Sequence, residues 1–199
     1  MKRETALGHR GLRIWLLVAL VAAGCNSHYL TRSAQSANFV SHPRIGIVPF
    51  DNFAGKDMVA AKVTDYFQTM MAGRPQYTVI ENGSAYNALR RNRIRSALLL
   101  DSAQIEVLAQ ELKVDYILTG SVLDYTELDN TYLGKIPQVS FNARLIDCKT
   151  KQTVWTGVSN DTGDRKELLF GVGVTRSADE LARQMVQRLV ENLDKQFKK

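Results

Sequence analysis

Within residues 137–147, apolar and polar side chains alternate as far as Leu145, and this pattern constrains the fold more than any other feature of the chain. The apolar positions are Val139, Phe141, Ala143 and Leu145. The polar positions between them are Gln138, Ser140, Asn142 and Arg144. A period of two with one polar face is typical of an antiparallel strand that packs one face on a core and exposes the other to water. Residues 149–151 then predict a turn, and residues 152–158 predict the hairpin partner of this strand.

Further strands and helices are predicted around this hairpin. Short apolar runs predict strands at residues 44–50, 76–81 and 115–125. Apolar residues at three- and four-residue spacing predict helices after Asp57 and at residues 84–91, 103–112 and 177–195. The predicted caps are Asp57, Asp101 or Ser102, and Ser177. The fold class is therefore α/β (α+β), with a single mixed β-sheet, an antiparallel C-terminal meander and packed helices in the order β-α-β-α-α-β-β-β-α.

The scarcity of histidine and cysteine limits the chemistry that this fold can perform. The chain has 3 His, namely His9, His28 and His42, and all of them lie in its first quarter. If that quarter is not part of the fold, Ser-His-Asp hydrolysis, Cys-His catalysis and His-ligated metals are excluded together. The 2 Cys also build no disulfide framework and no four-thiolate metal site. We therefore expect a protein that is not an enzyme and has neither a cofactor nor a metal site.

The amino-terminal segment has the order of a secretory signal. Basic residues precede the apolar run 14–23, which as a helix spans only about 15 Å and is too short to cross a bilayer. The following sequence, Val21-Ala22-Ala23-Gly24-Cys25, resembles the bacterial lipobox. That resemblance implies cleavage between Gly24 and Cys25 and acylation of Cys25, which attaches the chain to membrane lipid. Asn26 follows the cysteine and favours the outer membrane, with the domain in the periplasm.

Three regions follow from this signal. Residues 1–24 are the predicted signal peptide, residues 25–42 a lipidated flexible tether and residues 43–199 the folded domain, because residues 26–42 are polar and without period. Loss of residues 1–24 would remove four basic residues and one acidic residue, which halves the formal net charge of +6. We therefore expect no nucleic-acid partner. With Cys25 acylated, Cys148 is expected to be a lone thiol near a strand end.

Three sequence segments are similar to a known periplasmic domain. They are Ile45–Asn52, Asp115–Val122, and Ala143–Asp147 followed by Thr150 and Val154-Trp155. In this order they resemble the CsgG-type domain, whose architecture is shared by the penicillin-binding-protein activator LpoB and the amino-terminal domain of TolB. The resemblance implies an outer-membrane lipoprotein that binds other envelope proteins as an accessory factor in envelope assembly, secretion or peptidoglycan synthesis. The alternative that it implies is a subunit of a CsgG-like oligomeric export complex.

The sequence departs from the CsgG pattern in a way that argues against a self-sufficient pore. A membrane strand needs about 9–11 residues that alternate apolar and polar side chains. The candidate tracts are residues 127–136, which are short, and residues 159–175, which hold several charged residues. Four membrane strands do not fit these tracts, so a pore would be supplied by other chains. A homo-oligomer remains one of the expected arrangements.

Two segments are the candidate protein-binding sites. The segment 125–137 holds Tyr125, Tyr132 and Leu133, and exposed aromatic residues beside polar ones are favoured at protein interfaces. A loop that folds back on its own domain explains the same residues equally well. Arg90, Arg91 and Arg93 form the most basic stretch and suit anionic lipid, a polyanionic glycan or an acidic protein face. A solvated helix end explains them too, because basic side chains favour a helix C-terminus.

Overall fold

The structure is a computed structural model, and it describes residues 29–34, 39–165 and 173–198. The helices are α1 (Val59–Ala72), α2 (Asn82–Arg91), α3 (Ser102–Leu112) and α4 (Ala178–Asp194). The strands are β1 (Tyr29–Ser33), β2 (Arg44–Ile47), β3 (Asp51–Asn52), β4 (Thr78–Ile80), β5 (Tyr116–Asn130), β6 (Gly134–Asp147) and β7 (Gln152–Thr162). The predicted order of elements is confirmed, and β1 and β3 are added to it.

The strands form one mixed sheet of seven strands in the order β1-β7-β6-β5-β2-β4, with β3 beside β5. Strand β2 runs parallel to both β4 and β5, as the helical crossovers require. Strands β5, β6, β7 and β1 pair antiparallel. The predicted fold class, with its antiparallel C-terminal meander, is therefore confirmed.

Local signals in the sequence fix two of the helix starts. The Asp101 side chain accepts from the Gln104 backbone N–H at 2.8 Å, and the Gln104 side chain accepts in return from the Asp101 N–H at 3.1 Å. Ser177 caps α4 through the Glu180 N–H. The prediction that Asp57 caps α1 is wrong. The N-cap residue is Met58, which follows Asp57 and has a left-handed conformation with φ 64°.

Helices cover both faces of the sheet, but not over its whole width. Helices α1 and α4 cover one face and bury the alternating apolar residues of β6 together with Trp155 and Tyr116. Helices α2 and α3 cover the opposite face only around β2 and the beginning of β5, over Ile117 and Ile146. On that side of the sheet, strands β6, β7 and β1 lie beside this second layer of helices. Among the described residues, no helix has the length and the apolar character needed to cross a bilayer.

Close packing at Gly120 explains the glycine in the middle of β5. A Cβ atom at this position would lie 2.5 Å from Cε2 of Phe50 and would also collide with the Asn142 carbonyl oxygen. Glycine at this position therefore permits the close approach of the neighbouring strand. Trp155 is buried in the core between sheet and helix and donates from Nε1 to Asn192 of α4 at 3.1 Å.

The part of the predicted flexible tether, residues 25–42, that the structure describes is ordered against the domain. Residues 29–33 form strand β1, which pairs with β7 from Tyr29↔Ser159 to Ser33↔Trp155. Phe39 then packs on the rings of Tyr116 and Phe197, with ring centroids 6.0 and 4.9 Å away. The physical reason is that β7 offers an unpaired edge, which a polar segment can complete with backbone hydrogen bonds alone.

Candidate interaction surface

Strands β5 and β6 continue past the rest of the sheet as a two-stranded projection. Strand β3 pairs with β5 only as far as Val122. On the other side of the hairpin, β7 pairs with β6 from Asp147 to Gln138 and no further toward the start of β6. The β5–β6 ladder nevertheless runs on to Asn130↔Gly134. We call residues 126–137 the arm. The interpretation of residues 125–137 as a loop is therefore wrong, because the backbone groups of this segment pair across a hairpin.

The end of the arm is a defined turn. Oδ1 of Asn130 accepts from the backbone N–H of Tyr132 at 2.9 Å and of Leu133 at 3.0 Å. Gly134 closes the turn with a φ of +78°, and Nη1 of Arg176 donates to the Leu133 carbonyl at 3.1 Å. These contacts hold the backbone while the Tyr132 side chain is 94% exposed. The predicted exposure of Tyr132 is therefore confirmed, whereas Leu133 is half-buried.

Tyr125 lies at the base of the arm and is buried, with 2% of its surface exposed. The expected exposure of this residue is wrong, because a bulge between Val122 and Asp124 turns its ring toward α1 and α4. Its hydroxyl donates to Asp179, which also accepts from Nζ of Lys62 at 2.9 and 3.0 Å. Burial and this carboxylate raise the pKa of Tyr125. The Tyr125 hydrogen bond and then Lys62 lower the pKa of Asp179.

The outer face of the meander, opposite α4, carries rows of side chains across four strands. One row consists of Leu30, Val158, Asn142 and Ser121. The next row consists of Arg32, Thr156, Arg144 and Thr119. Leu30 is 72% exposed and Val158 is exposed beside it, so an apolar pair interrupts a polar sheet face. We call these two rows the outer face. The alternation in β6 predicted the polar side chains of this face, whereas Leu30 was missed because β1 was not predicted.

Arg144 closes one end of the outer face. Its guanidinium donates to the carbonyl oxygens of Ala97 and Leu98, and Oδ2 of Asp51 fixes the same loop by accepting from the Leu98 N–H and the Ser96 hydroxyl, both at 2.8 Å. Burial lowers the pKa of Arg144 from its ordinary value, while Asp51 opposes that shift. These contacts hold the loop, residues 95–101, against the edge of the face.

The basic stretch lies at the C-terminal end of α2, where Arg90 and Arg91 occupy the last turn. Arg91 pairs with Glu111 of α3, whose carboxylate also accepts from Asn92 at 2.7 Å. Arg90 lies over the Tyr86 ring, 6.0 Å from its centroid, and Arg93 is exposed in a left-handed conformation with φ 54°. Arg91 is thus occupied within the domain, and Arg90 and Arg93 face solvent.

A cleft of about 740 Å³ opens at the end of the domain opposite the arm, between α3 and the β6–β7 turn. Cys148 lies in its wall as a free thiol, and burial raises its pKa to about 12. The thiol is therefore protonated at neutral pH and is a poor nucleophile. Glu106 and Lys151, also in the wall, pair with each other at 2.6 Å. In the described parts of the chain, no three His, Cys, Asp or Glu side chains are placed to share a metal ion.

Gly24 and Cys25, the predicted cleavage and acylation site, lie outside the described residues. The predictions for these two residues therefore rest on the sequence alone. The described chain begins at Tyr29, four residues after Cys25.

Comparison with solved structures shows a shared fold at low sequence identity. The lipoprotein GNA1162 from Neisseria meningitidis aligns with a TM-score of 0.55 and 19% identity, over 76% of this chain and 98% of that chain. A PelC dodecamer from Paraburkholderia phytofirmans aligns with a TM-score of 0.51 and 14% identity, over 81% of this chain and 95% of that chain. The C-terminal domain of LpoB from Salmonella enterica aligns with a TM-score of 0.46 and 14% identity, over 64% and 87%. No protein-family model matches the sequence, and no curated protein matches it significantly.

Proposed function

We propose that this chain is a lipid-anchored accessory protein of the bacterial envelope that acts by binding other envelope proteins and not by catalysis. Acylated Cys25 holds it in the outer membrane, and the domain faces the periplasm. The observation that carries the binding role is the outer face, where Leu30 and Val158 lie side by side on an exposed sheet surface. The accessory protein acts in envelope assembly, secretion or peptidoglycan synthesis.

The composition of the outer face suits a protein partner. Protein interfaces combine an apolar centre with a polar rim that forms hydrogen bonds. Leu30 and Val158 supply the apolar centre, and Asn142, Thr156 and Arg32 supply donors and acceptors around it. The surface is a β-sheet, so it is preformed and loses little conformational entropy on binding.

Two neighbours in fold support parts of this proposal. GNA1162 is itself a lipoprotein, in agreement with the lipobox of this chain. PelC forms a dodecamer, which favours the second candidate function, a subunit of an oligomeric export complex. In that case the partner at the outer face is another copy of this chain.

The anchor supports function by confinement. A lipid-attached domain meets membrane-bound partners at a raised effective concentration without any additional contact. A chain with Cys25→Ala should leave the membrane fraction, and a variant that stays membrane-bound would contradict the anchor. The exposed Arg90 and Arg93 are a second candidate contact, for acidic groups.

The binding role is tested by affinity purification of the acylated full chain from envelope membranes. Val158→Lys should lose the partner that the wild-type chain retains, because it places a charge in the apolar centre of the interface. The matched control is Val107→Lys, since Val107 is an exposed valine on α3, away from the outer face. Equal recovery by both variants would contradict the assignment of the outer face. Mixing tagged with untagged copies identifies the partner when it is the chain itself.

A further inference from the structure

The strand register places the start of β1 and the end of the arm on the same side of the domain. Tyr29 pairs with Ser159, Ser159 with Phe141, and Phe141 with Val122, so these residues lie at one level of the sheet. The arm ends at Gly134, seven residues beyond Phe141 on the side from which the chain enters β1. At about 3.4 Å per residue, the end of the arm lies about 24 Å past that level.

Sheet twist shortens this advance along the direction of β1. Each neighbouring strand is rotated by about 20–25°, and β6 is two strands away from β1. A rotation of about 40–50° leaves an advance of about 15–18 Å along β1. The end of the arm therefore lies well ahead of Tyr29, toward the amino-terminal side.

The chain before Tyr29 is too short to hold the domain away from a membrane. Tyr29 is four residues from Cys25, and four extended residues span at most about 14 Å. If Cys25 is acylated, as the proposed function holds, the membrane surface lies within this distance of Tyr29. The advance of the arm equals or slightly exceeds that reach, so the arm end arrives at the lipid headgroups.

The distribution of exposed apolar side chains points to the same surface independently of the anchor. Tyr132 and Leu128 of the arm are exposed, and the adjacent loop 53–58 exposes Phe53 by 59% and Met58 by 69%. The Phe53 N–H donates to the Val122 carbonyl at 2.8 Å, which places this loop beside the base of the arm, on the same side of the domain. The opposite end exposes Val40 among Lys113, Asp115, Lys149 and Thr150. The domain thus has one apolar end and one polar end.

We propose that the end of the arm rests in the headgroup region of the lipid leaflet that holds Cys25. This proposal rests on the proposed acylation, and it assigns lipid as the partner of Tyr132 and Leu133, for which the sequence predicted a protein. Tyrosine suits this depth because its ring enters the apolar layer while its hydroxyl stays hydrated. The acylated cysteine and the arm together hold the domain upright and turn the outer face sideways, toward other periplasmic molecules.

Charge at the end of the arm permits this contact. Glu127 and Lys135 pair across the arm at 3.8 Å, and Asp129 is offset by Arg176, which is bound to the Leu133 carbonyl. The arm end therefore carries no net formal charge into the headgroup region. The arm end advances only a few ångströms further than the four residues before Tyr29 can reach. It therefore contacts the membrane interface and does not span the bilayer, since a membrane-spanning strand needs about 9–11 residues within the bilayer.

Tryptophan quenching tests the proposal on the full, acylated chain. Tyr132→Trp chains are reconstituted in vesicles of phosphatidylethanolamine and phosphatidylglycerol, with and without dibrominated phosphatidylcholine. Trp155 is buried in the core and supplies the same background in every variant. The matched control is Val40→Trp, because Val40 is exposed at the opposite end. We expect brominated lipid to quench the fluorescence of Tyr132→Trp and to leave Val40→Trp unchanged.

A second anchor separates failure of this proposal from failure of the acylation. A chain that begins at Asn26 carries a histidine tag in place of Cys25 and binds vesicles that contain a nickel-chelating lipid. Quenching of Tyr132→Trp on these vesicles supports the arm contact even if mass spectrometry finds no acyl group on the native Cys25. Acylation of Cys25 without quenching of Tyr132→Trp would overturn the arm contact and leave the proposed function in place. Equal quenching of both tryptophans would also overturn it, because the domain would then have no preferred end at the membrane.

Discussion

The Tyr125 hydroxyl donates a hydrogen bond to the Asp179 carboxylate and ties the base of the arm to the first turn of α4. Lys62 of α1 donates to the same carboxylate, so three elements meet at one acidic side chain. Lys56 lies over the Tyr125 ring, 5.8 Å from its centroid, and brings the loop before α1 to the same point. The direction of the arm is therefore set by contacts within the domain.

Tyr125→Phe should destabilise the domain by about 1 kcal/mol, which is the net contribution typical of a hydrogen bond within a protein. Asp179 keeps Lys62 and gains water in place of the phenol, so the loss stays moderate. The free energy of unfolding from urea titration at neutral pH measures this difference. The matched control is Tyr86→Phe, since Tyr86 is exposed on α2. Identical unfolding midpoints for Tyr125→Phe and Tyr86→Phe would contradict a structural role for the contact.

Asp179 should also contribute to the pH dependence of stability. Its pKa is lowered in the folded state, first by the Tyr125 hydrogen bond, so the unfolded chain binds the proton more readily. The contribution is present above the unfolded pKa of about 3.9 and is lost as the pH falls through the lower, folded pKa. The difference in free energy of unfolding between the wild-type chain and Asp179→Asn should therefore shrink below about pH 4.

Urea titrations of both chains at neutral and acidic pH measure that change. The control is Asp57→Asn, because Asp57 is exposed in the turn before α1 and removes one carboxylate without breaking the Tyr125 contact. A difference between the wild-type chain and Asp179→Asn that grows on acidification would show that the assumed sign of the pKa shift is wrong.

Most of the fold could be predicted from local patterns. The alternation in residues 137–147 predicted both the position of β6 and which of its faces is buried. Asp101 and Ser177 marked the starts of α3 and α4 because capping uses contacts between residues three positions apart. The turn predicted at residues 149–151 is also present, and Oδ1 of Asp147 stabilises it by accepting from the N–H groups of Lys149 and Thr150 at 2.8 and 2.9 Å.

The misses share a physical cause, which is dependence on partners distant in sequence. The bulge at Leu123 reverses the alternation of β5, so Tyr125 faces inward although the pattern from Leu118 places it outward. Strand β1 has no apolar period and exists because the edge of β7 accepts it. The arm continues for the same reason, since its backbone ladder needs no apolar pattern. The candidate surface was therefore found only in part, through Tyr132, while Leu30 and Phe53 were missed.

Gly120→Ala should destabilise the domain by about 1–3 kcal/mol, the usual cost of overpacking a core. The added methyl group would collide with the Phe50 ring and the Asn142 carbonyl, and the latter is backbone within a paired strand. Gly83→Ala is the control, because nothing lies within 4 Å of its Cβ position in α2. That control should be neutral or stabilising by up to about 1 kcal/mol. Thermal unfolding of both variants decides the point, and a Gly120→Ala chain as stable as wild type would contradict the packing.

A pair of proline substitutions in β1 should have opposite outcomes, because successive residues of an edge strand turn their N–H groups to opposite sides. The Ala34 N–H donates to the Val154 carbonyl at 3.0 Å, so the alternation of an antiparallel ladder turns the N–H of Arg32 toward β7 and that of Thr31 away from it. Arg32→Pro removes a hydrogen bond of the ladder, whereas Thr31→Pro removes an N–H that faces outward.

Hydrogen–deuterium exchange of the full chain measures the result at Thr156 and Val158, which pair with Arg32 and Leu30. Arg32→Pro should increase exchange at both amides, and Thr31→Pro should leave them protected. The Trp155 N–H points to the other side of β7, toward β6, and serves as an internal reference. Its protection depends on the pairing of β7 with β6, which neither proline touches. If the two prolines raise exchange equally, the register of β1 is wrong, and the level of Tyr29 relative to the arm is then no longer fixed by β7.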